Sequence, residues 1–473
     1  MSIELIVLIV VVTALVFDFT NGFHDAANAM ATCVATGAFK PKVAVLLAAV
    51  MNLVGAFLST EVAKTIASGI VDDTNVAIGA QTVFAALVGA ILWNLLTWLF
   101  GLPSSSSHAI FGALIGAVIV QAGINGVLWY GVASKILLPA LVAPVVAGVA
   151  SWAGTKIAYK GLHNDNKDSK KRYRNGQRVS SLLVALSHGT SDGQKTMGII
   201  TLVLVVSTAQ FAAANPGVDL PWWHQAPGSG PHWWVMVAAG IAIALGTYSG
   251  GWRIMRTMGK GMAEIEPPQG FIAETAGMSC ILASAHLGFG LSTTHVVSGS
   301  IMGTGLARTP EEVRWNTAKR MLIAWGLTLP AAALVGGAAA WLAHFGSWGF
   351  LAVLAILLFG AVAIKIASSR NHISHENVND ANEVTVLAKA AISSVTTTIP
   401  NPLAPALPDY IADHPLAASP LRLTGLKPKP KPKKPKKKKT PPKPTHKNKE
   451  RKDAQVRASV DKAKAKEAER GES

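Results

Sequence analysis

The residues that most restrict how this chain can fold are Asp18–Thr32, DFTNGFHDAANAMAT. They follow directly on an apolar run, Leu5–Phe17, and the segment 3–38 is long enough to cross a bilayer, which takes about 20 apolar residues of helix. Asn21, His24, Asp25 and Asn28 then stand where hydrocarbon belongs. A charged side chain at mid-bilayer costs at least about 2.5–3.5 kcal/mol on insertion scales. A similar stretch returns at Ala185–Ile200, ALSHGTSDGQKTMGII, which sets Gly189 against Gly22, Asp192 against Asp25, Lys195 against Asn28 and Met197 against Met30. An aspartate placed twice at the same point of an apolar segment points to ion or proton handling. The competing reading, an aspartate that caps the second half of a broken helix, suits one copy better than two.

Only 15% of residues are charged, against roughly a quarter in soluble domains, and mean hydropathy is +0.36. Apolar segments lie at 3–38, 43–60, 79–100, 106–123, 132–158, 181–208, 232–251, 271–289, 292–307, 319–342 and 348–367. The expected fold is an all-α polytopic membrane protein with about 10–12 transmembrane segments. Cys33 and Cys280 have neither disulfide nor zinc spacing, and no metal centre or cofactor is expected. The N-terminus lacks a basic region and carries Glu4, so the first apolar run reads as a retained helix. The net charge of +17 is concentrated in the tail, where 19 Lys and Arg against 6 Asp and Glu follow from Lys427. It is therefore no sign of nucleic-acid binding. The Lys/Pro run Lys427–Lys452 reads as disordered; adhesion to anionic lipid is the sharper alternative, at about 1 kcal/mol per basic residue near the surface.

The order of motifs repeats. TEVAKTI (Thr60–Ile66) pairs with WRIMRTM (Trp252–Met258), and SSHAIFGALIG (Ser106–Gly116) with TTHVVSGSIMG (Thr293–Gly303). An internal duplication accounts for this. It divides the chain into a membrane repeat at 1–158, a basic loop at 159–178, a second membrane repeat at 179–369 and a Lys/Pro-rich tail at 370–473. The Lys and Arg residues of 159–178 place that loop in the cytoplasm. Counting outward puts the N-terminus and the Asp72–Asp73 patch outside and the tail inside, with the two halves oppositely oriented. That is the inverted-repeat plan of secondary transporters, with broken helices and re-entrant hairpins at SSSSH (Ser104–His108) and STTH (Ser292–His295).

Ser105, Ser106 and Ser107 match Ser292, Thr293 and Thr294 at the starts of two small-residue helices. Hydroxyls and free N–H groups at a helix N-terminus suit a tetrahedral oxyanion, and two inverted tips could grip one anion from opposite sides. Simple helix capping is the alternative. His24, His108, His188 and His295 lack metal-ligand spacing and read as structural. Glu274 is an acid inside an apolar segment, open to pairing with a charge from the other half or to carrying a proton; its counterpart is Leu87. Gly112/Gly116 and Gly299/Gly303 read as close helix packing.

The paired blocks NGFHDAANA and SHGTSDGQKTMG, with LPSSSSHAIFGALIG and LSTTHVVSGSIMG, resemble the PiT family of inorganic phosphate transporters over about residues 1–370. The resemblance implies an inverted-repeat carrier with phosphate held between the two Ser/Thr tips, and a homodimer. Together with the residues it gives a cytoplasmic-membrane symporter in which Ser106, Ser107, Thr293 and Thr294 hold phosphate, aided by Ser105, Ser292 and Gln194, while Asp25, Asn28, Asp192 and Lys195 carry the coupling cation or proton and Glu274 is a secondary proton group. Sodium-coupled members resemble HGSNDVAN in the second half, where this chain reads SDGQK. Lys195 thus stands at the position of an asparagine, and its ammonium can replace a bound cation. That favours the bacterial proton-coupled branch, which is associated with a neutral metal–hydrogen-phosphate substrate; a neutral complex is the cheaper one to desolvate. Sodium coupling, sulfate as substrate, an anion channel and an intramembrane di-aspartyl protease remain as rivals.

Overall fold

The structure is a computed structural model that describes residues 2–71, 78–161, 167–308, 313–370 and 373–379. The Asp72–Asp73 patch and the Lys/Pro run lie outside the described residues. In chain order the helices are α1 (Ile3–Ala35), α2 (Pro41–Gly55), α3 (Glu61–Ser68), α4 (Ala80–Leu99), α5 (Ser106–Ala122), the single turn α6 (Trp129–Gly131), α7 (Leu138–Gly161), α8 (Lys167–Ala214), α9 (Trp233–Ser249), α10 (Trp252–Lys260), α11 (Pro267–His286), α12 (Thr293–Arg308), α13 (Trp315–Ala343) and α14 (Gly346–Ser369). A π-helical stretch, Val132–Leu137, joins α6 to α7. A bilayer core offers the backbone no hydrogen-bonding solvent, so a spanning segment must satisfy its own N–H and C=O groups as helix. Local signals start several of these helices: Ser2 accepts from the Leu5 amide, and Pro267 and Pro268 open α11.

Among the described residues six helices are long and apolar enough to cross a membrane, or seven if the bent pair α9–α10 is one span. Of the remaining expected segments, α2, α5 and α12 are shorter, at 15, 17 and 16 residues, while α11 has 20 residues, as many as α4, but is less apolar. Two hairpins, α4–α5 and α11–α12, fold back on themselves. The broken span falls at α9–α10, which meet at 68°, and both aspartate segments stay helical throughout. Gly250 makes the break with a φ of +78°, and a Cβ on Gly251 would stand 2.1 Å from the Phe23 carbonyl oxygen. The polar stretch 159–178 is helical at both ends, because α7 runs to Gly161 and α8 begins at Lys167. Lys160, Lys171, Arg172, Arg174 and Arg178 sit exposed on turns that continue those helices.

The duplication governs the packing. α5 packs on α13 and α12 on α7; α1 packs on α9 and α8 on α2; α1 meets α10 and α8 meets α3. Each contact is another with the halves exchanged, so the repeats interlock. The glycine pairs make this possible. A Cβ on Gly112 or Gly116 would lie 2.3 or 2.0 Å from the carbonyl oxygen of Leu329 or Ala333 on α13. One on Gly299 or Gly303 would lie 2.4 or 2.1 Å from that of Pro144 or Gly148 on α7. Outward faces carry exposed Leu141, Val145, Leu334 and Phe359, as a lipid-facing belt requires.

Candidate functional site

α1 and α8 carry their aspartates past the N-termini of α5 and α12, and the four elements enclose one polar cluster. Asp25, Asn28, Asp192, Lys195, Ser106, Ser107, Thr293 and Thr294 are each at most 3% exposed. Neither aspartate caps a helix: Asp25 lies ten residues before the end of α1, and Asp192 lies in the middle of α8. The capping reading therefore fails for both.

The contacts repeat across the two halves. Ser106 Oγ donates to Asp25 Oδ2 at 2.5 Å, and its counterpart Thr293 Oγ1 donates to Asp192 Oδ2 at 3.3 Å. Asn28 Nδ2 donates to Thr294 Oγ1 at 2.9 Å, and its counterpart Lys195 Nζ donates to Ser107 Oγ at 2.5 Å. Lys195 thus serves the same hydroxyl that an asparagine serves in the other half, and in addition it lies 2.5 Å from Asp192 Oδ1. Further bonds cross between halves: Asn28 Nδ2 to Thr293 Oγ1 at 3.3 Å, and Thr294 Oγ1 to Asp25 Oδ1 at 3.4 Å. Ser107 Oγ also donates to the Leu291 carbonyl at 3.2 Å, tying one tip to the other.

Ser105 and Ser292 do act as caps. Each accepts the amide three residues on, from His108 at 3.1 Å and His295 at 3.3 Å. The two histidine rings then meet, with centroids 4.8 Å apart, and His295 stacks on Trp325 at 4.1 Å. Gln194 is placed elsewhere. Its Oε1 accepts the Val62 amide at 2.8 Å at the start of α3 and its Nε2 donates to the Thr190 carbonyl, so it does not reach the Ser/Thr tips. Helical spacing explains this: Gln194 is two residues from Asp192 and faces another side of α8.

Glu274 stands apart from the cluster, and among the described residues its hydrogen-bond partners carry no charge. Thr32 Oγ1 (2.6 Å), Gln177 Nε2 (3.0 Å) and Ser180 Oγ (2.5 Å) donate to its carboxylate, joining α1, α8 and α11. Thr32 is seven residues beyond Asp25, about 10 Å along the helix axis.

Two histidines that the sequence reads as structural lie against the aspartates. His188 Nε2 lies 3.3 Å from Asp192 Oδ2, and His24 Nδ1 lies 2.8 Å from Asp25 Oδ1. The i, i+4 spacing of His188 and Asp192 was the available signal for the first. Asp25, His188 and Asp192 each offer a donor atom within 4.8 Å of the others, compact enough for a small cation. The ammonium of Lys195, ion-paired with Asp192, brings a positive charge to the same spot.

Comparison with known proteins follows the same lines. The model of the "Phosphate transporter family" matches residues 21–172 and 159–336. A Mycobacterium bovis protein named "Probable low-affinity inorganic phosphate transporter" is 50% identical over 377 residues, 79% of this chain and 87% of that protein. Proteins of the same name from Mycobacterium leprae and Bacillus subtilis are 48% and 42% identical, covering 80% and 71% of this chain and 89% and 96% of their own lengths. Among solved structures, "The sodium-dependent phosphate transporter" is similar with a TM-score of 0.61 at 24% identity, covering 72% of this chain and 99% of that one.

Proposed function

The chain belongs to the phosphate transporter family, and from that premise we propose that it is a cytoplasmic-membrane symporter that imports inorganic phosphate with protons by alternating access. Phosphate binds between the tips of α5 and α12, on Ser106, Ser107, Thr293 and Thr294. Asp25, Asn28, Asp192 and Lys195 carry the coupling, while Ser105 and Ser292 keep the two helix starts in shape.

The observation that carries this reading is the placement of Lys195, whose ammonium touches both Asp192 and the tip hydroxyl of Ser107. A fixed cation there neutralises a carboxylate that would otherwise need a bound one. Two aspartates against one lysine still leave the cluster a formal −1, so a bare phosphate dianion is repelled. A proton on the phosphate, or a divalent metal travelling with it, turns an aspartate from a repelling group into a partner. A neutral metal–hydrogen-phosphate complex therefore suits the site as cargo.

Burial of the whole cluster corresponds to an occluded state, and the interlocked halves would have to rock for either side to open. Glu274 ties α1, α8 and α11 together two turns from the centre and is the second proton group of the proposal. The N-terminus faces outward and the tail inward, where its lysines meet anionic lipid.

Phosphate uptake into proteoliposomes under imposed gradients tests this. Accumulation driven by a pH gradient without sodium is expected. Uptake driven by a sodium gradient alone would overturn the proton reading and assign the Asp25–His188–Asp192 cage to sodium. Sulfate uptake at the same rate would overturn the substrate.

A further inference from the structure

Two turns of α1 before Asp25 lies a fourth intramembrane carboxylate, Asp18, fully buried within the bundle. Among the described residues neither of its oxygens has a well-formed hydrogen bond. Thr196 on α8 and Asn21 on the next turn of α1 are the polar side chains that act on it. They are also unpartnered: the Thr196 hydroxyl and both ends of the Asn21 carboxamide make no hydrogen bond. Among the described residues, the ionisable groups that act on Asp18 are Asp192 and Lys195, both presented by α8.

An ionised carboxylate buried deep in a bundle costs several kcal/mol, whereas a neutral acid can give its O–H to the Thr196 hydroxyl or the Asn21 carbonyl oxygen and be satisfied. We propose that Asp18, with Asn21 and Thr196 as acceptors for its O–H, is the site where the co-transported proton rides. The inference rests on the proton-coupled reading above and deepens it. The step is a simple protonation: an O–H bond forms on the Asp18 carboxylate at the outward side and breaks on release to the inside.

The geometry also supplies the coupling. With Asp18 ionised, Asp18, Asp25, Asp192 and Lys195 carry a formal −2 and discourage an anion. Protonation lowers this to −1, so that phosphate meets less repulsion beside Ser107 and the Lys195 ammonium. Proton and phosphate then favour each other's binding, as symport demands. A proton suits the site better than sodium. Three side chains offer few oxygens, and the nearby ammonium repels a metal cation more than it hinders a proton that leaves the acid neutral.

The test compares D18N with the unaltered protein in proteoliposomes, reading both phosphate counterflow and accumulation. One pH unit supports about tenfold accumulation per coupled proton. D18N, which mimics the protonated acid, is expected to retain counterflow while its pH-driven accumulation ratio falls about tenfold per pH unit, the share of one coupled proton. D18E is expected to restore accumulation. Full pH-driven accumulation by D18N would overturn the proposal, as would loss of counterflow together with accumulation, which marks a structural role. Accumulation by the unaltered protein only with sodium would refute the proton reading itself, a result separate from either. Sodium-dependent stabilisation that D18N abolishes would assign Asp18 to a metal cation and overturn the proton assignment.

Discussion

Lys195→Asn gives the two halves the same residue at matched positions, and its consequences follow from the contacts. At the equivalent site Asn28 reaches the tip hydroxyl of Thr294 at 2.9 Å, so an asparagine at 195 is expected to keep a hydrogen bond to Ser107. What it loses is the 2.5 Å ion pair with Asp192, whose side chain is fully buried. Removing one partner of a buried pair costs about 3–5 kcal/mol because the other charge is left uncompensated. That is a factor of more than about 100 in the ratio of folded to unfolded protein. A sodium ion taking the vacated position would return about 2.7 kcal/mol at a hundredfold excess over its Kd. The assay is unfolding of the purified protein in sodium-free and sodium-containing buffer, beside uptake under a pH gradient. The variant is expected to be strongly destabilised without sodium, partly restored by it, and weakened in proton-driven uptake. The double variant K195N/D192N, which leaves no stranded charge, recovers stability without sodium. A single variant within about 1 kcal/mol of the unaltered protein in sodium-free buffer, with uptake intact, would refute the reasoning.

Four further outcomes are expected. Ser106→Ala and Thr293→Ala each strip a hydroxyl donor from a buried aspartate, a loss of about 1–3 kcal/mol, and both should raise the KM for phosphate; equal KM values in all forms would contradict the symmetric site. Ser105→Ala and Ser292→Ala remove caps, so they should lower the unfolding temperature by the equivalent of about 1 kcal/mol and leave KM in place. Gly116→Ala drives a Cβ to within 2.0 Å of the Ala333 carbonyl and should destabilise by about 1–3 kcal/mol, whereas Gly161→Ala meets nothing within 4 Å and should not, as thermal unfolding will show. Glu274→Gln faces three donors with an amide and should cost about 1–3 kcal/mol of stability, while equilibrium binding of phosphate about 10 Å away stays unchanged.

The helical membrane fold, the duplication and the central constellation were legible from residue order alone. Apolar runs of spanning length admit little besides helix in lipid, and a polar residue repeated at matched positions of two such runs is too costly to be incidental. The Ser/Thr tips, Asp25, Asn28, Asp192 and Lys195 were found this way, and the structure joins them in one network. Contacts between distant segments were not legible. Nothing in the string shows that Gln194 turns to the start of α3, that Glu274 meets three neutral donors instead of a cation, or that α1 and α8 pass their aspartates without breaking. Those outcomes depend on which face of one helix meets which face of another. Asp18 divides the two kinds of knowledge most clearly. Sequence places an acid in an apolar helix, but only the packing of α8 beside α1 leaves it buried, unpartnered and next to Lys195, because hydrogen-bond satisfaction is a property of the assembled bundle.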